Sequence, residues 1–193
     1  MRRRTFDALV SVAGLVLAVV LAVAGGLALW GHNFVDNQVS SQLAAQKIVF
    51  PAKANPEFKA LPKADAAAMG AYAGQQMTTG AQARVYADNF IAFHLSKMGG
   101  TYSQLSAKSL AQPDNAKLAA LVNVVFKGTT LRGMLLNAYA FWQMGVIALW
   151  AAVVSFIGAG LLIILSVLGF VHARWAGPDT EILAPHVPQK ATV

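Results

Sequence analysis

Two long stretches without a single ionisable side chain, residues 8–30 and 145–171, bracket this chain and limit what it can fold into before any motif is considered. A helix rises about 1.5 Å per residue, so about 20 apolar residues cross the ~30 Å hydrocarbon core of a bilayer. Each stretch meets that length. A composition of 56% hydrophobic and 12% charged residues, with a mean hydropathy of +0.53, also fits an integral membrane protein better than a soluble domain. The expected fold is an all-α membrane protein in which two transmembrane helices flank an exported, mainly helical domain. Its segments are a cytoplasmic amino terminus (1–7), transmembrane helix 1 (8–30), the exported domain (31–140), transmembrane helix 2 (141–171) and a cytoplasmic tail (172–193).

Orientation follows from the cations. Arg2, Arg3 and Arg4 stand directly before the first apolar stretch, and His172 and Arg174 directly follow the second. The excess of Lys and Arg on the cytoplasmic side of short flanks places both termini inside and the middle outside. The basic balance of the middle segment does not oppose this, because stretches beyond about 60 residues cross largely regardless of charge. Ala22-Val23-Ala24 has the small-x-small form of a signal-peptidase site. The apolar stretch nevertheless continues to Trp30, past the end of an ordinary signal h-region, so the segment is expected to stay as an anchor. Trp30, Trp142 and Trp175 are expected at membrane interfaces.

Between the spans, Val35, Val39 and Leu43 keep helical spacing, so the first helix is expected to continue to about Lys47. Ile48 to Pro51 reads as a short extended piece. Pro56 and Pro62, with Lys53, Lys59 and Lys63 around them, read as an irregular loop in which helix is disfavoured. Ala64 to Met69 resumes helix. Gly80 to Met98 has the strongest amphipathic pattern outside the spans, with Ala83, Ala87, Phe90, Ile91, His94 and Met98 on one stripe. Tyr102 to Ala111 follows as helix, Pro113-Asp114 reads as the next helix start, and Gly128 as an interruption. Thr130 is then expected to open a last helix of more than 40 residues that runs into the second span. The absence of cysteine removes disulfides and thiol chemistry.

The chemistry-bearing residues do not form a recognisable set. His32 and His94 fall on the exported side and His172 and His186 in the tail, so the membrane divides them. Asp36, Glu57, Asp65, Asp88 and Asp114 are scattered over separate elements, two of them near helix starts, where a carboxylate complements the helix dipole. No nucleophile elbow, Walker loop, dinucleotide fingerprint or zinc spacing occurs. Catalytic and metal residues are therefore not assigned, and no cofactor is expected. Spans without ionisable groups also disfavour self-sufficient transport. The spans do carry small residues at four-residue spacing: Gly14, Ala18, Ala22 and Gly26 in the first, Ala151, Ser155 and Ala159 in the second. Such stripes let helices approach closely and are the candidate helix contacts. Lys47, Lys53, Lys59 and Lys63 form a candidate basic surface toward anionic headgroups or an acidic envelope polymer.

The run from Thr130 to Trp142 leading into the second span, with Leu43 to Ile48 and the Arg-initiated first span, resembles a family of uncharacterised actinobacterial two-pass membrane proteins. Some members carry an aromatic ring-opening dioxygenase label, a chemistry that requires iron. The resemblance implies no catalytic residues. The expected role is a non-enzymatic accessory or interaction subunit of a cell-envelope complex in the plasma membrane. Its expected partners are the lipid bilayer and a membrane protein or a second copy, and not nucleic acid. An extracytoplasmic ligand-binding or sensing domain with a separate cytoplasmic partner is the alternative, and an exported metal-dependent enzyme the second.

Overall fold

The computed structural model describes residues 3–175; the expected tail beyond them, with His186, lies outside the described residues, as does Arg2. Every regular element among them is helical: α1 (Arg3–Ala45), α2 (Pro56–Lys59), α3 (Lys63–Gly70), α4 (Gly80–Val85), α5 (Ala92–Ser96), α6 (Tyr102–Leu110) and α7 (Ala116–Trp175). A π-helical segment, Tyr86–Ile91, joins α4 to α5. α1 and α7, of 43 and 60 residues, are both long and apolar enough to cross a membrane. Contacts divide the chain into two units. One contains the described residues up to Trp30 and from Ala148 onward, and the other is Gly31–Ile147.

The first unit is an antiparallel pair made by the apolar parts of α1 and α7. Contacts descend along α7 as they ascend along α1: Ser11 meets Gly169, Gly14 meets Ser166, Leu21 meets Gly158, and Gly25 meets Ser155 and Phe156. Inward positions recur at alternating steps of three and four, Ser11, Gly14, Ala18, Leu21 and Gly25 on α1 and Ala152, Ser155, Ala159, Leu162, Ser166 and Gly169 on α7. An average of 3.5 residues is the period of left-handed helix pairing. Large side chains point away, Val20, Leu27, Trp150, Ile157 and Ile164 among them. That distribution is the reverse of a soluble helical hairpin, whose large apolar residues face each other.

The Gly31–Ile147 unit has a core of its own. Val39 and Leu43 of α1, Phe50, Phe58, Leu61, Met69, Met77, Ala83, Ala87, Ile91 and Leu135 form one buried cluster. The extended piece expected at Ile48 to Pro51 makes a single bridge, Val49 to Gln76, fixed by Phe50 N–H to Gln75 O at 2.9 Å and Met77 N–H to Ile48 O at 2.8 Å. Gln76 then donates its side-chain amide to Ala44 O at 2.8 Å, a carbonyl that also accepts from Lys47 N–H at 3.1 Å in the turn that ends α1.

Three local expectations need correction. Pro56 and Pro62 start helices instead of excluding them: Pro56 is the first residue of α2, where a missing N–H costs nothing, and Pro62 is the cap of α3. Gly128 does not interrupt. It lies inside α7, and a Cβ there would sit 2.8 Å from Leu95 Cδ2, so the position is set by close packing and not by a turn. The start of α7 is set by Asn115, whose Oδ1 accepts from Leu118 N–H at 3.1 Å, after Pro113-Asp114 and well before Thr130. Trp142, expected at a membrane interface, belongs to the central unit and covers Gly80, where no Cβ fits.

Candidate functional site

The seam between the two apolar helices is built from two copies of one tetrapeptide pattern, Ser11-Val12-Ala13-Gly14 and Ser166-Val167-Leu168-Gly169. Each serine sits over the glycine of the other helix, and neither glycine has space for a methyl group. Ser11 and Ser166 are both buried, and Ser11 donates its hydroxyl to Asp7 O at 2.8 Å. A hydroxyl that returns its proton to its own helix adds no unsatisfied donor to an apolar seam.

Of the residues expected to touch at four-residue spacing, Gly14, Ala18, Ser155 and Ala159 lie on the seam, while Ala22, Gly26 and Ala151 are exposed. Nothing lies within 4 Å of a Cβ placed on Gly26. The reason is angular. A step of four residues advances about 40° beyond a full turn at 3.6 residues per turn, so a strict four-residue row rotates off the contact face within a few steps. Ser11, Leu21, Gly25, Ala152, Gly158, Ser166 and Gly169 were missed by that spacing.

At the Arg3 end of the pair, Arg3 Nη2 is 3.3 Å from His172 Nε2, and Asp7 Oδ2 is 3.9 Å from the same nitrogen. Asp7 Oδ2 is buried and has no hydrogen-bond partner. These groups flank a groove of about 450 Å³ lined mostly by apolar side chains, including Phe6, Val10, Leu165 and Leu168.

In the central unit a second groove, of about 480 Å³, runs between α1 and α7. Val35, Val39, Leu43 and Ala138 line its floor, Phe34, Met134 and Phe141 its apolar edge, and Gln38, Gln42, Gln46 and Asn137 its polar edge. The three glutamines are spaced by four, so their amides form one row along α1. No charged group lines the groove.

The third polar feature surrounds the π-helical segment. Arg132 of α7 donates from Nη2 to Asp88 Oδ1 at 2.8 Å and from Nε to Ala87 O at 3.3 Å. Arg84 reaches Asp88 at 3.8 Å and donates to the Tyr139 hydroxyl at 2.9 Å. Asn89 donates to Val85 O at 2.9 Å. A π-turn breaks the regular i to i−4 bonding, and side chains here take up backbone carbonyls of that region. Tyr86, at its start, has its pKa raised, first by burial of the phenol and second by the negative charge of Glu57.

The histidines make structural bonds. His94 Nδ1 donates to Phe90 O of the preceding π-helical segment at 2.8 Å, and His32 Nδ1 donates to Gly145 O at 2.9 Å across to α7. A carbonyl can only accept, so these bonds place a proton on Nδ1 in both rings. Among the described residues no three His, Cys, Asp or Glu side chains cluster as a metal site. The carboxylates stay dispersed, with Glu57 and Asp65 in the first turns of α2 and α3 and Asp88 held by the arginines. Lys47, Lys53, Lys59 and Lys63 are all exposed, on the end of α1, the loop, α2 and the start of α3. Lys47 adopts a positive φ of 54° where α1 ends.

No family model matches the chain, and neither does any curated protein or solved structure.

Proposed function

We propose that this chain is a two-span plasma-membrane protein, with its termini cytoplasmic and its central helical unit outside the cell. In this reading it acts without catalysis as an accessory or interaction subunit of a cell-envelope complex. The observation that carries this reading is the groove bordered by Gln38, Gln42, Gln46 and Asn137. An apolar centre with an uncharged polar edge is the anatomy of a protein interface, and the length of the groove along two helices suits an amphipathic helix laid between them. The occupant is the helix of a membrane partner that rises from its own span. What supports that choice is the place of the groove in the chain: Phe34, its first lining residue, follows Trp30 by four residues on α1, the helix that carries the first apolar stretch. The outward-facing large apolar side chains of the helix pair support the bilayer as its surroundings.

The test is a photo-crosslinking amino acid placed at Gln42 or Asn137 in native membranes, with Lys108, on the exposed surface of α6, as the control position. A discrete adduct from both groove positions and none from Lys108 is expected, and Met134→Lys should abolish it by putting an unpaired charge into the groove. Equal adducts from all three positions, or none from the groove, would contradict the reading.

A further inference from the structure

We infer that the end of the helix pair carrying Arg3 and His172 is a binding site for an anionic phospholipid, with the phosphate held between these two side chains and an acyl chain in the adjoining groove. Three observations converge on it. Arg3 and His172 come from helices far apart in sequence and meet at 3.3 Å, so two nitrogen-rich groups share one point at the helix ends. A guanidinium has five N–H donors, and the contact with His172 uses one of them, which leaves most of its fork for a phosphate. The second observation is Asp7, whose buried, unbonded Oδ2 lies 3.9 Å from His172 Nε2 and places an acceptor beside the same ring nitrogen.

The third observation is the groove itself. Phe6, Val10, Leu165 and Leu168 give it apolar walls, and its lining runs from His172, the residue that Arg3 contacts, to Gly14 and Gly169 of the seam. A free phosphate or a nucleotide uses the cations and leaves those walls bare, whereas a phospholipid covers both. Basic pockets between transmembrane helices on the cytoplasmic side are physically suited to such headgroups. Arg3 makes the contact with His172 and Arg4, next in sequence, does not, which distinguishes a built site from diffuse attraction of a basic terminus to a charged surface.

The inference rests on the reading of α1 and α7 as membrane spans, and the two fail differently. Release of the chain from membranes by alkaline carbonate removes that reading, while retention with no lipid preference removes only the site. Full-length protein is titrated in mild detergent with phosphatidylglycerol, phosphatidylcholine or inorganic phosphate and followed by native mass spectrometry. Phosphatidylglycerol is expected to be retained at least about tenfold better than phosphatidylcholine, with no competition from inorganic phosphate. Arg3→Gln and His172→Gln should each lose about tenfold, the scale of one charge-assisted bond. Arg4→Gln should leave retention unchanged, and His172→Arg, which keeps N–H donors at that position, should preserve it even if the glutamine variant folds poorly. Equal retention of both lipids, an Arg4→Gln loss as large as that of Arg3→Gln, or full competition by inorganic phosphate would overturn the proposal.

Discussion

At the scale of single residues, the glycines of the apolar helices separate into two kinds that composition does not distinguish. Gly169 lies against the Ser11 hydroxyl, whereas Gly26 has no neighbour within reach of a Cβ. Gly169→Ala should therefore destabilise the helix pair by about 1–3 kcal/mol through overpacking. Gly26→Ala should be neutral or stabilise by up to about 1 kcal/mol through helix propensity. Thermal unfolding in detergent followed by circular dichroism separates the two, and the opposite order would contradict the seam. The abundance of small residues was legible in the sequence, but the contact face was not, because a four-residue row and a 3.5-residue row share several members at the start. One signal was available: the same Ser-Val-x-Gly tetrapeptide occurs once in each span, which an antiparallel pair turns into reciprocal contacts.

At the scale of elements, helix over Gly80 to Ser96 was legible from its apolar stripe, and Ala83, Ala87 and Ile91 are indeed buried. The π-helical segment within it was not, since the side chain bonding Ala87 O comes from Arg132, on a helix distant in sequence. Arg132→Met should loosen this segment first. The Arg132–Asp88 pair is partly exposed, so solvent screening discounts it, and the expected loss is about 1 kcal/mol. Hydrogen exchange should accelerate over Tyr86–Ile91 while α6 is unaffected; unchanged exchange there would show that Arg132 does not hold the turn. Proline and glycine misled for a related reason. Pro56 at a helix start and Gly128 under Leu95 obey their local preferences only once the neighbouring element is known.

At the scale of the whole chain, the all-helical class and two helices long and apolar enough to cross a membrane were readable from sequence alone, because length and lack of charge are properties of contiguous sequence. The division of the chain by contacts was less so. Residues 141–147, expected in transmembrane helix 2, pack with the central unit, where Trp142 covers Gly80 and Gly145 O accepts from His32. The grooves were invisible for the same reason, each being lined by helices that are remote in sequence. The central claim, a two-span protein with its helical unit outside and its termini inside, is tested most directly by single cysteines, since the natural chain has none. With a membrane-impermeant maleimide, Leu110→Cys, at a position 82% exposed, should label on intact cells, and Thr5→Cys only after permeabilisation. Labelling of Thr5→Cys on intact cells, or protection of Leu110→Cys until permeabilisation, would contradict the account.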